Sequence, residues 1–268
     1  MRLPADRGIR LKPAGRWGLL IDPPRPGWYN MAADLALLDL ARRHGTAWLR
    51  LYRWDPHCLS FGRHEPAGRR YDRERIEELG LDTVRRPTGG RAVWHSHELT
   101  YSVAAPLGAI PETDSGLRAT YCAIHRMIGS ALSRLGIPAV LAEAGPTPAL
   151  SAGSCFALPV GGEILVQGRK VVGSAQLRQG EAFLQHGSLL LRDEQFIVAQ
   201  VSRKEEPAGT PATAPLGQDL DFEPVAEAIR TAAAAWGEIV AAEPPAGFSE
   251  QVSRHAERFR APGWTWER

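Results

Sequence analysis

Apolar residues recur at helical spacing in two long stretches of the chain. The more regular stretch covers residues 115–136, and its apolar face carries Leu117, Tyr121, Ile124, Ile128 and Leu132. The other stretch covers residues 31–45, where Asn30 or a neighbour is placed to cap the helix and Gly45 to end it. The pattern therefore predicts two amphipathic helices.

Three further segments have helical patterns. Asp72 is placed to cap a short helix that ends at Gly80. Near the C-terminus, residues 224–240 and 248–263 repeat apolar positions every three or four residues. Two helices are thus predicted to close the chain.

Apolar runs rich in β-branched and aromatic side chains predict strands between these helices. The runs cover residues 46–54, 58–64, 81–95, 98–106, 163–176 and 181–191. Gln167-Gly168 and Gln179-Gly180 interrupt the last two runs in the manner of a β-meander. Because strands and helices do not alternate regularly, we expect an α+β fold with a mixed, mostly antiparallel sheet and flanking helices.

Composition and charge exclude several function classes. The 268 residues include 32 basic and 30 acidic side chains, a net charge of +2 that does not indicate a nucleic-acid binder. No apolar run reaches the roughly 18 residues of a membrane helix, and the N-terminal residues lack the apolar segment of a signal peptide. Three cysteines without CxxC spacing predict neither a disulfide framework nor a zinc site. We therefore expect a cytoplasmic, reduced protein.

Residues 85–95 combine paired glycines with several arginines. Glycines between two strands let the backbone approach a ligand and leave amide groups free to donate. Flanking arginines such as Arg86 and Arg91 can hold an anionic or carbonyl-bearing group through forked hydrogen bonds. The alternative is a tight hairpin with charges on its surface.

Residues 168–176 carry Lys170, one of only three lysines in an arginine-rich chain. Lys170 lies where the chain begins a predicted strand, which fixes the direction of its side chain. Gly173 and Ala175 leave room for a narrow, linear ligand. The alternative is a strand lysine whose ammonium reaches solvent. Cys155 precedes this segment. A nearby ammonium would favour its nucleophilic thiolate, whereas most lone cysteines are small buried core residues.

Five segments follow one another along the chain: RRPTGGRAVWH, ELTYSV, CF, GRKVVGSAQ and LQHGSLLL. Their order and spacing, from about Trp28 to about Leu191, resemble the biotin/lipoate protein ligase superfamily. The resemblance implies one class II aminoacyl- and biotin-synthetase-like catalytic domain over residues 1–268. Its core would cover about 28–200, followed by a mobile loop at 203–218 and C-terminal helices at 219–268.

Arg91 after the glycine pair and Cys155-Phe156 before the lysine segment are most similar to cysteine-dependent bacterial octanoyltransferases, a lipoate–protein ligase A-like branch. This resemblance implies transfer of octanoyl from acyl carrier protein, or from a lipoyl domain, to a lysine of a lipoyl domain such as glycine-cleavage H protein. No cofactor would be required, and neither nucleic acid nor a membrane would be a partner. Two alternatives remain: a lipoate–protein ligase that uses ATP and Mg, and a non-catalytic relative that binds acylated carrier proteins or lipoyl domains.

The resemblance also implies the site residues. Cys155 would form the acyl-enzyme, while Lys170 would favour its thiolate and donate to the developing oxyanion. The remaining candidates would bind substrate: Arg86, Thr88, Gly89, Gly90, Ala92, His95, Gly173, Ser174, Ala175, Gln176, His186 and Gly187. The family usually has aspartate where this chain has Ser96. If that aspartate orients a group, Ser96 must act differently, or His97 or Glu98 must substitute for it.

Overall fold

The computed structural model describes residues 15–111, 113, 116–143, 156, 161–204 and 214–267. Cys155 lies outside these residues, as does much of the loop predicted at 203–218. The helices of the described part are α1 (Gly27–His44), α2 (Ala67–Arg70), α3 (Arg73–Glu78), α4 (Leu117–Arg134), α5 (Phe196–Gln200), α6 (Phe222–Ala233), α7 (Phe248–Arg260) and α8 (Pro262–Trp266). The strands are β1 (Arg16–Ile21), β2 (Ala47–Tyr52), β3 (Cys58–Phe61), β4 (Asp82–Arg85), β5 (Val93–His95), β6 (Glu98–Pro106), β7 (Ala139–Leu141), β8 (Ile164–Val166), β9 (Arg169–Lys170), β10 (Val172–Gln179), β11 (Ala182–Leu190) and β12 (Glu238–Ala241).

Six strands form the main sheet, in the order β10-β11-β6-β2-β1-β12. The first three neighbouring pairs are antiparallel, whereas β2–β1 and β1–β12 are parallel. Two three-stranded sheets, β4-β3-β5 and β7-β8-β9, complete the fold. The prediction of an α+β fold with a mixed, mostly antiparallel sheet is confirmed.

Helices cover both faces of the main sheet. Successive strand residues point to opposite faces, so Leu49 and Val103 pack in the core cluster that contains α4 and α6. Leu20 and Ala104 instead pack in the cluster that contains α1 and α7. The sheet is therefore the central layer, and its strand ends and adjoining turns remain available to form a site.

The glycine-rich segment does not form the tight hairpin considered above. β4 pairs with β3 in parallel and β5 pairs with β3 antiparallel, so β3 lies between the two strands that the segment connects. The connection passes close to Gly62, where a Cβ atom would collide with the carbonyl group of Gly90. A side chain at Gly62 would consequently displace the glycine turn.

The boundaries of α1 test the predicted caps. Gly45 ends the helix as predicted, with a left-handed φ of 66°. The helix begins at Gly27, however, and the Asn30 side chain does not cap it. Asn30 donates instead to the carbonyl oxygens of Arg25 and Arg53, each at 3.1 Å. Asn30 therefore joins the start of α1 to the end of β2.

Two other predicted elements are divided differently. The helix predicted over residues 224–240 ends early, because residues 238–241 extend and pair with β1 as β12. The predicted β-meander is two hairpins: β8–β9 in a small sheet and β10–β11 in the main sheet. The step between them moves the chain from one sheet to the other directly after Lys170.

Candidate functional site

A pocket lies among the glycine turn, β10 and β11. Most of the predicted substrate-binding residues line it: Arg86, Gly89, Gly90, His95, Gly173, Ser174, Ala175, His186 and Gly187. The sequence did not single out the other lining residues: Met31, Tyr52, Trp54, Val93, Thr100 and Ser188. The structure thus brings the two predicted segments together around one cavity.

Three of the predicted substrate-binding residues lie outside this lining, and so does Lys170. The Thr88 hydroxyl is 2.7 Å from Nε2 of His186, so Thr88 contacts the pocket through a lining side chain. Ala92 is fully buried in a small core cluster on the far side of the turn. The Gln176 amide donates to the side chain of Gln185 and to the Leu117 carbonyl group.

Arg86 holds the glycine turn in shape. Its guanidinium donates to the carbonyl oxygens of Gly89 at 3.2 Å and Arg91 at 2.8 Å. It also donates to the carbonyl and hydroxyl oxygens of Ser60, at 3.0 and 2.6 Å. These partners are protein oxygens, and Arg86 also lines the pocket, where the sequence predicts that it holds an anionic or carbonyl-bearing group.

A hydrogen-bonded row continues from Ser60 to the pocket wall. Because the Glu98 carboxylate accepts from His95 Nδ1 at 2.8 Å, Nε2 of the neutral ring accepts from the Ser60 hydroxyl at 2.6 Å. The indole of Trp54 stacks on the His95 ring, with centroids 3.9 Å apart. Burial lowers the pKa of His95, against the opposing effect of Glu98. His95 is therefore a neutral, immobilised wall residue.

Glu98 also bears on the position where the resemblance implies aspartate and this chain has Ser96. Of the two substitutes considered, Glu98 contacts His95, whereas His97 is exposed and pairs with Glu194 at 3.3 Å. With serine at position 96, His95 still has a carboxylate partner, which is Glu98. That partner comes from the first residue of β6.

A second buried row orients His186. Its Nδ1 is 2.8 Å from Asp34, which also accepts from Arg50 at 2.9 Å and from Tyr52 at 3.0 Å. Burial raises the pKa of Asp34, but His186 and Arg50 outweigh it, so the pKa lies below the usual value. Asp34 on α1 is 152 positions from His186, and neither residue carries a local sequence signal for the other.

Lys170 is buried, with only 4% of its surface exposed. Its Nζ atom donates to Glu163 at 2.7 Å and lies 5.3 Å from the centre of the Phe156 ring. The alternative of an ammonium that reaches solvent is therefore wrong. Cys155 directly precedes Phe156 in the sequence, and its own placement lies outside the described residues.

Two features are absent from the described part of the chain. No three side chains of His, Cys, Asp or Glu there come together in a way that could hold a metal ion. None of the helices in the same residues has the length and hydropathy needed to cross a bilayer.

The chain is similar to known proteins over the residues that form this site. The family described as lipoyl protein ligase A/B catalytic domain matches residues 26–240. Octanoyltransferase LipM of Carboxydothermus hydrogenoformans is 41% identical over 184 residues, 67% of this chain and 68% of that protein. Octanoyltransferase LipM of Moorella thermoacetica is 39% identical over 196 residues, 70% of this chain and 71% of the relative.

A solved structure shares the fold. Lipoate-protein ligase A bound with ATP aligns with a TM-score of 0.76 at 20% identity, over 94% of this chain and 98% of that one. The predicted superfamily fold is confirmed.

Proposed function

The chain belongs to the lipoyl protein ligase A/B catalytic domain family, and we propose that it transfers octanoyl through a thioester on Cys155. Its relatives named octanoyltransferase support octanoyl transfer in lipoate assembly and confirm the predicted acyltransferase class. One observation carries the mechanism: the buried Lys170 ammonium lies 5.3 Å from the centre of the Phe156 ring. Phe156 is the neighbour of Cys155 in the sequence.

The pocket suits a linear acyl chain. Gly173, Ala175 and Gly187 contribute little side-chain bulk on the sheet side, and the Trp54–His95 stack closes another side. Both imidazoles that line it have their ring nitrogens hydrogen-bonded to protein groups. The cavity therefore presents fixed, satisfied walls to an apolar ligand.

Two acyl transfers make up the proposed reaction. The Cys155 thiolate attacks the carbonyl carbon of the octanoyl thioester; its new C–S bond replaces the bond to the donor, and the donor thiolate leaves with the electron pair. The amine of the acceptor lysine then attacks the acyl-enzyme, a C–N bond forms, and the amine proton is released as the Cys155 thiolate leaves. Lys170 donates to the oxyanion in both steps and favours the thiolate between them.

The donor, acceptor and location belong to the same proposal. We take the donor to be octanoyl-acyl carrier protein or an octanoylated lipoyl domain, and the acceptor to be a lipoyl-domain protein such as glycine-cleavage H protein. The reaction takes place in the cytoplasm within one catalytic domain over residues 1–268. A thioester provides enough free energy to form an amide, so the reaction needs neither ATP nor another cofactor.

Intact-mass spectrometry after mixing the protein with octanoyl-acyl carrier protein, without ATP, tests the proposal. We expect an octanoyl adduct that hydroxylamine removes, and none on Cys155→Ser. Cys122→Ser is the matched control, because Cys122 is a half-buried free thiol on α4 and should leave the adduct unchanged.

Two results would overturn the proposal. Acceptor modification that requires ATP and free octanoate or lipoate would make the protein a ligase. No adduct and no acceptor modification under either condition would leave a non-catalytic binding relative.

A further inference from the structure

Glu163 is a buried carboxylate that the proposed reaction does not use. It lies just before β8, and only 4% of its surface is exposed. Its Oε1 atom accepts from Lys170 at 2.7 Å. A buried carboxylate and a buried ammonium stabilise each other only in close, well-formed geometry, so the position of each depends on the other.

A chain of hydrogen bonds fixes the backbone next to Glu163. The Gly162 carbonyl accepts from Nδ1 of His125 at 2.6 Å, which leaves Nε2 of the neutral ring to accept from the Ser174 hydroxyl at 2.8 Å. Ser174 in turn accepts from the Tyr101 hydroxyl at 2.6 Å. Three elements of the core thus hold the residue that precedes Glu163: α4, β10 and β6.

The same chain reaches the pocket, because Ser174 is a lining residue. Its partner across the β10–β11 ladder is Gly187, where a Cβ atom would collide with the Ser174 hydroxyl. The glycine therefore leaves room for the hydroxyl in this chain. The wall of the acyl pocket and the partner of Lys170 share one hydrogen-bonded framework.

We propose that Glu163 is the positioning residue for Lys170, held by the Tyr101–Ser174–His125–Gly162 chain of hydrogen bonds. The inference rests on the proposed function, since it assigns Lys170 a part in acyl transfer. Glu163 has two effects: it fixes the Nζ atom in place, and it favours the charged form of a buried amine. Glu163 contacts Lys170 and is absent from the pocket lining, so it acts through the lysine.

The groups around Lys170 make its charge measurable. His125 on α4 has a pKa lowered to about 4, by burial first and by the Lys170 charge as well. Burial raises the pKa of Tyr101 on β6, and the charge of Glu163 adds to this. The pKa of His125 thus lies well below neutral, and the pKa of Tyr101 lies above its usual value.

NMR of protein labelled with ¹³Cε-lysine tests the inference without any substrate. The chain has only three lysines, Lys12, Lys170 and Lys204, and Lys170→Arg assigns the signal of interest. In Glu163→Gln we expect the Lys170 signal to titrate at a lower pH than in the wild type, because a buried amine without a carboxylate partner disfavours its charged form. Asp39→Asn is the matched control, because Asp39 is a buried carboxylate paired with His255 at 2.9 Å.

Kinetics of octanoyl transfer give the second readout. Glu163→Gln should lower kcat roughly 10- to 100-fold through misplacement of Nζ, with little change in KM because the pocket lining is intact. Its alkaline limb should move to lower pH. Glu163→Asp keeps the charge but shortens the reach, so we expect a lower kcat with the alkaline limb at the wild-type pH.

The two readouts separate this inference from the proposed function. Unchanged titration of Lys170 in Glu163→Gln would overturn the inference even if the wild type transfers octanoyl. A shifted titration in a protein that forms no acyl adduct would uphold the ion-pair assignment and overturn the transferase proposal. If Glu163→Gln does not fold, Glu163→Asp decides alone, and a wild-type kcat in that variant would contradict positioning.

Discussion

The Arg85-Arg86 pair and Lys170 are both buried, yet their charges meet different partners. Arg85 donates to backbone carbonyl groups, among them Gly62 at 2.7 Å and Thr265 at 2.7 Å. Within the described residues, Lys170 instead contacts the carboxylate of Glu163 and the ring of Phe156. The arginines act as fixed braces of the backbone, whereas the lysine is a compact buried charge paired with the carboxylate of Glu163.

The difference follows from the shape of the two cations. A guanidinium is a planar fork with five donors, which suits several carbonyl oxygens at fixed angles, while an ammonium is a small point charge. Arg85 and Arg86 consequently connect β4 to α8 and to the glycine turn. Arg85 and Arg86 thus build the site through backbone contacts, and Arg86 also lines the pocket.

The largest expected effect comes from exchanging one cation for the other at the Lys170 position. Lys170→Arg keeps the charge but replaces the compact ammonium with a fork that cannot occupy the same point. We expect octanoyl transfer to fall about 100-fold or more, near the loss of an oxyanion donor. Single-turnover transfer measures it, with exposed Lys204→Arg as the control. Wild-type activity in Lys170→Arg would break the comparison.

A substitution at Arg85 should change the stability of the protein and not its catalytic activity. Arg85→Lys leaves several buried carbonyl groups with fewer donors, and we expect the free energy of unfolding to fall by about 2–3 kcal/mol. Urea denaturation measures it. Transfer by the folded fraction should be unchanged, and a selective loss of activity at full stability would give Arg85 a role in the reaction.

Part of this arrangement is predictable from sequence. Helical spacing predicts α4, and the aromatic and β-branched residues of 98–106 predict β6 with the bounds that the structure shows. The ordered segments around Gly89-Gly90 and Lys170 identify the superfamily, because chain order and spacing are properties of the sequence itself. They also bring together most of the pocket lining.

The partners of these residues are not predictable in the same way. Whether Arg86 meets a ligand or a carbonyl group depends on where β3 passes, and no local pattern encodes that. Asp34 finds His186 across 152 positions, and Glu163 reads as the first residue of an apolar run. The local pattern of residues 238–240 predicts the end of a helix. The structure has a strand at 238–241 because these residues pair with β1.

The free energy of unfolding should also depend on pH, through His125, which interacts with the charge of Lys170. The pKa of His125 is about 4 in the folded chain and about 6.5 when unfolded. Between these values only the unfolded chain binds the proton, so stability decreases as pH falls. From pH 7 to 5 the loss assigned to His125 is about 2 kcal/mol.

Urea denaturation of His125→Phe at both pH values isolates this contribution. The variant is less stable at pH 7 because two hydrogen bonds are lost, but it has no ring proton to bind. Its difference from the wild type should therefore shrink at pH 5. A constant difference would show that His125 is not the group responsible.

The smallest effect is expected at Trp54, a pocket-lining residue next to Arg53 in the sequence. The indole stacks on His95, donates to Thr100 at 2.7 Å and lines both the acyl pocket and a polar cavity beyond it, next to Arg53. Trp54→Phe keeps an aromatic ring but loses the donor, at a cost of about 1 kcal/mol in unfolding free energy.

The same variant lengthens the pocket toward the polar cavity. We expect the rate of decanoyl relative to octanoyl transfer to rise roughly tenfold, the usual scale for one or two methylene groups in an apolar site. Competition between the two donors measures it, with Trp28→Phe on α1 as the control. An unchanged ratio would mean that another side chain limits the length of the bound acyl chain. The wall built from Arg86 through Ser60 and His95 would then only stabilise the fold.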